Sequence, residues 1–214
     1  MNTFKIKNKG QATLFQSSML ERLTKTSPQV IYSIYIPLIL AMMAYAAFVL
    51  HAPGLRLLLI FIAGMAFWTL FEYLMHRFVF HHHSENPRIQ RILYTAHGVH
   101  HEFPRDKDRL FMPPVPSLII ATVLFSIFFG ILKHDAFIFW PGFVTGYLIY
   151  GTMHYAIHAM APPFAFLKPL WRYHHLHHYR EPDKGFGVSS PFWDHVFGTV
   201  PRTKGKFDNP EERS

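Results

Sequence analysis

The chain has no cysteine, and that absence alone removes several kinds of chemistry. Disulfides, thiolate metal ligands, iron–sulfur clusters and cysteine nucleophiles are excluded. Acidic residues are scarce too, with 13 Asp and Glu against 21 Lys and Arg and a formal net charge of +8. Any metal ligands must then be imidazole or carboxylate, and imidazole suits Fe, Zn, Cu and Ni. Few carboxylates lie near the histidines, so the Glu-x-x-His sites of helix bundles are not on offer. Also missing are a lipidation motif at either end, a low-complexity linker and a clear internal repeat. Met1–Lys25 is polar and basic, without the short apolar core and small-residue cleavage site of a signal peptide. Gly185-Phe186-Gly187 is not a phosphate loop, since no strand precedes it and the glycine pattern is incomplete.

What the chain does have is apolar length. Half of its 214 residues are hydrophobic, too many for an ordinary soluble domain of this size. Four stretches approach the ~20 apolar residues that a bilayer core requires: about Ile31–Leu50, Leu57–Met75, Val115–Leu132 and Ala136–Met153. The fold class expected is an all-α integral membrane protein with four transmembrane helices. Short connections at His51–Arg56 and Lys133–Asp135 pair these as two antiparallel hairpins. All but Arg56 and Lys133 of the 21 Lys and Arg residues then share one side, which the positive-inside rule makes cytoplasmic. Positive charge flanking apolar spans argues for a bilayer partner and against nucleic acid. Leu14, Phe15, Met19 and Leu23 fall at roughly helical spacing, which fits either a surface-lying amphipathic helix before the first span or an ordinary flexible terminus.

The same side holds all but His51 and His134 of the 16 histidines. Ten of them form four clusters: His76-x4-His81, His97-x2-His100-His101, His154-x3-His158 and His174-x2-His177-His178. One such spacing can be chance; four on one face point to an imidazole-rich site in a helical cap above the bilayer. Positions i, i+3 and i+4 share a helix face, so each HxxHH can converge, as can His154 and His158. His76 and His81 lie roughly 140° apart on an α-helix and are expected to serve different metals or to flank the site. Ten imidazoles exceed the four ligands of one zinc and suit two six-coordinate ions. Glu72, one turn before His76, is a candidate to orient a ligand imidazole, with capping or snorkelling to water as the alternative. Asp194, His195 and, less strongly, Glu102 are further candidates for that supporting role. His82, His83 and His175 fall outside the spacing.

These motifs resemble the fatty acid hydroxylase superfamily of membrane oxygenases. The shared pattern ends in a tail that here reads Gly187-Val-Ser-Ser-Pro-Phe-Trp193-Asp194-His-Val-Phe-Gly198-Thr199. The resemblance runs from roughly Leu70 to Pro201. Two stretches, His97-Gly-Val-His100-His101-Glu-Phe-Pro-Arg-Asp and Lys184-Gly-Phe-Gly-Val-Ser-Ser-Pro-Phe-Trp-Asp, look most like the sphingolipid fatty acid 2-hydroxylases. The resemblance implies that the clustered histidines His76, His81, His97, His100, His101, His154, His158, His174, His177 and His178 all ligate two Fe ions. It implies O2 as co-substrate and C2 of a fatty acyl chain as the carbon hydroxylated. Zinc, having no redox chemistry, would be a substitute in purified protein. The lipid is expected to enter along an apolar groove at the cytoplasmic interface.

Three regions are expected: an amino-terminal cytoplasmic or interfacial segment (1–29), a membrane hydroxylase domain (30–200) and a tail (201–214). Fewer than 30 residues precede the first span, too few for the cytochrome b5 domain of eukaryotic members of that branch. A separate electron donor is therefore expected (cytochrome b5-like, ferredoxin or reductase), with a bacterial inner membrane as location, or the endoplasmic reticulum in a eukaryote. The rival readings are an oxygenase or desaturase with the same core acting on a sterol, carotenoid or lipid headgroup, and a non-enzymatic membrane metal-binding protein. Transporters place polar ligands at mid-membrane, where these spans have almost none.

Overall fold

The structure is a computed structural model that describes residues 6–202. Among the described residues it is all-helical. A short α1 (Ser18–Leu23) precedes α2 (Pro28–Ala44), which runs on as a π-helical turn, Tyr45–Val49. The long α3 (Gly54–Leu74) likewise ends in a π-helical turn, Met75–Phe80. Then come α4 (Pro87–Leu93), a π-helical turn Tyr94–Gly98 and α5 (Val99–Glu102). The helices α6 (Pro114–Leu132) and α7 (Ala136–Ala159) are joined by a 3-10 turn, Lys133–Asp135. Last are α8 (Lys168–Tyr179) and α9 (Phe192–Val196).

Three stretches are helical, long and apolar enough to cross a membrane: Pro28–Val49, Gly54–Phe80 and, with a break at residues 110–113, Lys107–Ala159. The last, of 53 residues, contains both α6 and α7. Proline at the first positions of α2 and α6 fits helix starts, where the missing N–H is not needed. The tight turns between α2 and α3 and between α6 and α7 each contain a residue of positive φ, His51 at 51° and Lys133 at 53°. Arg56 and Asp135 join those two turns by an ion pair at 2.8 Å.

Helix α7 is central and packs against α3, α2 and α6. Its contact with α3 is close enough to require glycine. A Cβ on Gly64 would lie 2.1 Å from the Phe139 carbonyl oxygen, and one on Gly142 would lie 2.0 Å from that of Phe61. Small residues that let backbones meet are how helices associate without a hydrophobic drive between them. Aromatic side chains fill the rest: Tyr35, Trp68, Phe111, Trp140 and Phe143 form the core. Polar ties cross it at Tyr35 and Ser117 (2.5 Å) and from the Trp140 indole to the Ala121 carbonyl (3.1 Å).

The amphipathic helix that the spacing allows from Leu14 onward is shorter. Glu21 accepts the Leu14 and Phe15 N–H groups at 2.9 and 3.0 Å, which holds those residues out of the helix. Met19 and Leu23 do face outward from α1. Of the tail expected at 201–214, residues 203–214 lie outside the described residues.

Candidate metal centre

The ten clustered histidines gather into two sets of five. His76, His81, His97, His101 and His177 form set one; His100, His154, His158, His174 and His178 form set two. Within each set the potential ligand nitrogens all lie within 4.8 Å of one another. In set one, Nε2 of His97 is 3.1 Å from that of His76 and 2.9 Å from that of His101. In set two, the His100–His178, His154–His100 and His158–His174 Nε2 pairs are each 2.9 Å apart. The sets adjoin, with the His101 and His178 rings stacked at 4.2 Å.

Local helix geometry explains the sorting. His76 and His81 were expected on different faces, but the i→i+5 bond from His81 N–H to the His76 carbonyl (3.2 Å) closes a π-helical turn. Residues five apart then return to one face, so both belong to set one. By spacing each HxxHH can converge as a trio, and each is instead divided. The i, i+4 pair His97 and His101 goes to set one and His100 to set two; His174 and His178 go to set two and His177 to set one. The two motifs make reciprocal contributions, and both helices lie between the sets.

The donor chemistry fits cations. The His76 Nδ1–H donates to the Phe186 carbonyl at 2.7 Å, and the His177 Nδ1–H donates to the Lys184 carbonyl at 2.7 Å. A carbonyl can only accept, so Nε2 of each ring carries the lone pair. Buried Nε2 atoms of His81 and His177 have no hydrogen-bond partner. Two nitrogens each bound about 2.1 Å from one ion at right angles would be about 3.0 Å apart, the spacing seen here. Burial, with the neighbouring imidazoles adding to it, holds His97, His100, His101, His174, His177 and His178 well below the usual histidine range. Burial brings His81 down to about 4. All seven rings are therefore neutral at pH 7, as metal ligands must be.

The supporting residues differ from expectation. Glu72 touches no imidazole. It is 5 % exposed, and its carboxylate accepts the Val188 and Ser189 N–H groups at 2.7 and 3.0 Å and the Ser189 hydroxyl. Asp194 also acts on backbone, accepting from Phe186 N–H at 3.0 Å, Gly187 N–H at 2.8 Å and the Thr199 hydroxyl at 2.7 Å. His195 is exposed and belongs to neither set, because the short α9 turns its ring away from the buried Asp194 face. Glu102 binds the Tyr94 hydroxyl and the Lys7 ammonium, each at 2.6 Å, and so ties down the amino-terminal segment. His82 and His83 are exposed. Sequence reading missed the carbonyls of Lys184 and Phe186 altogether; the Gly-x-Gly around Phe186 was their one visible trace.

A cavity of about 560 Å³ opens onto set one, bounded by His81, His97, His101, Arg77, Tyr94 and Phe186. A smaller apolar groove of about 290 Å³ lies between α3 and α7, lined by Ile62, Met65, Trp68 and Ile149 with Ser189 at one end.

The chain is similar to known proteins. The fatty acid hydroxylase family profile matches residues 61–199. The ceramide very long chain fatty acid hydroxylase scs7 of Schizosaccharomyces pombe is 38% identical over 194 residues, covering 89% of this chain and 55% of the yeast protein. The dihydroceramide fatty acyl 2-hydroxylase FAH2 of Arabidopsis thaliana is 35% identical over 192 residues, covering 89% of this chain and 80% of its own length. The solved structure of full-length scs7p, in which only the hydroxylase domain is visible, superimposes with a TM-score of 0.84 at 35% identity, over 92% of this chain and 75% of that one. The chain thus spans little more than half the length of its fungal relative.

Proposed function

The chain belongs to the fatty acid hydroxylase family, and from that premise we propose that it is a membrane di-iron monooxygenase that hydroxylates C2 of a fatty acyl chain in a sphingolipid or related acyl lipid. The observation that carries this reading is the convergence of ten imidazoles into two five-nitrogen sets with no thiolate or carboxylate among them. Bound iron would supply the redox chemistry that activates O2, which zinc cannot.

The protein's own residues do the rest. The Phe186 and Lys184 carbonyls fix the tautomers of His76 and His177. Phe80 stacks on His97 at 5.0 Å, and the Phe186 ring sits 5.6 Å from His76, His81 and His177, so apolar rings shield set one from bulk water. Tyr150 stacks on His154 at 5.6 Å and does the same for set two. The cavity beside His81, His97 and His101 supports access of a substrate to the centre. The substrate class follows the names of the relatives, which act on ceramide or dihydroceramide acyl chains.

The topology proposed has four spans in two hairpins. A single straight helix of 53 residues would run about 80 Å, far beyond a bilayer, whereas α6 and α7 are each long enough alone. Both hairpin turns then share one end, as the Arg56–Asp135 pair supports. The histidine sets and most of the positive charge share the other, which is assigned to the cytoplasm. The compared relatives are fungal and plant proteins, which favours the endoplasmic reticulum over a bacterial inner membrane. The electrons are proposed to come from a donor of cytochrome b5-like, ferredoxin or reductase type.

The test is lipid mass spectrometry on cells with and without this gene, grown under 18O2. A +18 Da shift located at acyl C2 is the expected result. Loss of two hydrogens, or label on a headgroup or isoprenoid, would overturn the substrate assignment in favour of a desaturase or another oxygenase.

A further inference from the structure

The loop between α8 and α9 is held almost atom by atom. From Gly185 to Ser189, five consecutive N–H groups have acceptors: the Thr199 carbonyl, both Asp194 oxygens, and Glu72 Oε1 twice. Neither carboxylate is free to do anything else, for Asp194 is fully buried and Glu72 nearly so. Gly187 is required by the same clasp, because a Cβ there would fall 2.9 Å from Asp194 Oδ2 and 2.1 Å from the Ser190 carbonyl oxygen. With its N–H groups pinned from behind, the loop turns the Lys184 and Phe186 carbonyls forward onto His177 and His76. Both rings belong to set one. In set two, the buried Nδ1 atoms of His100, His174 and His178 have no such acceptor.

We infer that Glu72 and Asp194 are positioning residues for set one alone, acting through the backbone of the 185–189 loop rather than on an imidazole. They fix the loop, the loop fixes two tautomers, and the two tautomers present Nε2 to the set-one ion. Partners of this kind are worth about 10–100-fold in metal affinity. This inference rests on the two-ion reading above.

The test is anaerobic Fe(II) titration of metal-stripped, detergent-solubilised full-length protein, with metal content measured after desalting. Asp194→Asn loses one acceptor oxygen and Glu72→Leu loses both. Each variant is expected to keep one ion at wild-type affinity and to bind the other 10–100-fold more weakly. Glu72→Gln keeps Oε1 as an acceptor and is expected to bind like wild type. Added to His177→Ala, Asp194→Asn is expected to leave the remaining ion unaffected. Equal weakening of both ions, no weakening, or the same loss in Glu72→Gln as in Glu72→Leu would overturn the inference. If Glu72→Leu fails to fold, Asp194→Asn decides it by the same criteria. Fewer than two ions in the unaltered protein would contradict the two-ion reading itself, a separate result.

Discussion

Five imidazoles converge on each side of the stacked His101 and His178 rings, but what stands behind them differs. Set one is backed by a pinned loop, the Phe186 ring and a cavity of about 560 Å³. Set two takes two ligands from α7, the central helix, and two from α8, and its rings are held mainly by packing against one another. Set two thus takes His154 and His158 from a helix apolar enough to cross a membrane, whereas set one takes His76 from another such stretch and depends also on a segment more than a hundred residues along the chain from it. In set one, hydrogen bonds to the ring nitrogens of His76 and His177 that do not face the metal add orientation to what the helices supply.

The largest effects separate the sets directly. His177→Ala and His100→Ala are each expected to abolish acyl hydroxylation while leaving membrane insertion intact, as read by product formation and membrane fractionation. Full activity in either variant would remove that histidine from the ligand set. Next is a change that strikes both sets through the scaffold. Gly142→Ala places a Cβ 2.0 Å from the Phe61 carbonyl, and overpacking of this sort costs about 1–3 kcal/mol. Thermal unfolding is expected to shift downward with both ions lost together, in contrast to the loop variants, which lose one.

A smaller, graded effect comes from pH. The folded metal-free protein keeps its buried rings neutral, with His81 near 4 and the others well depressed, while the unfolded chain takes up protons near 6.5. The unfolded state therefore binds more protons as pH falls below that value, and stability falls with it. Metal-free protein is expected to lose thermal stability progressively from pH 6.5 towards 4 and to change little above pH 7.5. A flat profile across that window would show that the rings are not buried as described. The smallest effect belongs to His195→Ala, at an exposed position outside both sets. Stability should move by no more than about 0.5 kcal/mol, with hydroxylation and metal content unchanged; a lost ion would restore His195 to the site.

Much of this was legible in local spacing. The i, i+4 relation of His154 and His158 and the apolar runs of α2, α3, α6 and α7 read correctly because helical periodicity is a short-range property. His76 and His81 misled because a π-helical turn changes the period without any sign in residue type. Glu72 was read as facing His76 because both lie on one helix face, but its partners at Val188 and Ser189 are backbone groups from a distant loop, which a side-chain pattern cannot announce. The Asp194 and His195 assignments shared one motif, and only the orientation of α9 separates the buried residue from the exposed one.

The central claim is that ten histidines hold two ions, five to each. Anomalous diffraction at the metal absorption edge, from crystals of the metal-loaded full-length protein, tests it most directly. Two peaks are expected, one within bonding distance of the His76, His81, His97, His101 and His177 nitrogens and the other within bonding distance of those of His100, His154, His158, His174 and His178. A single peak, or an ion bound by histidines drawn from both sets, would contradict it.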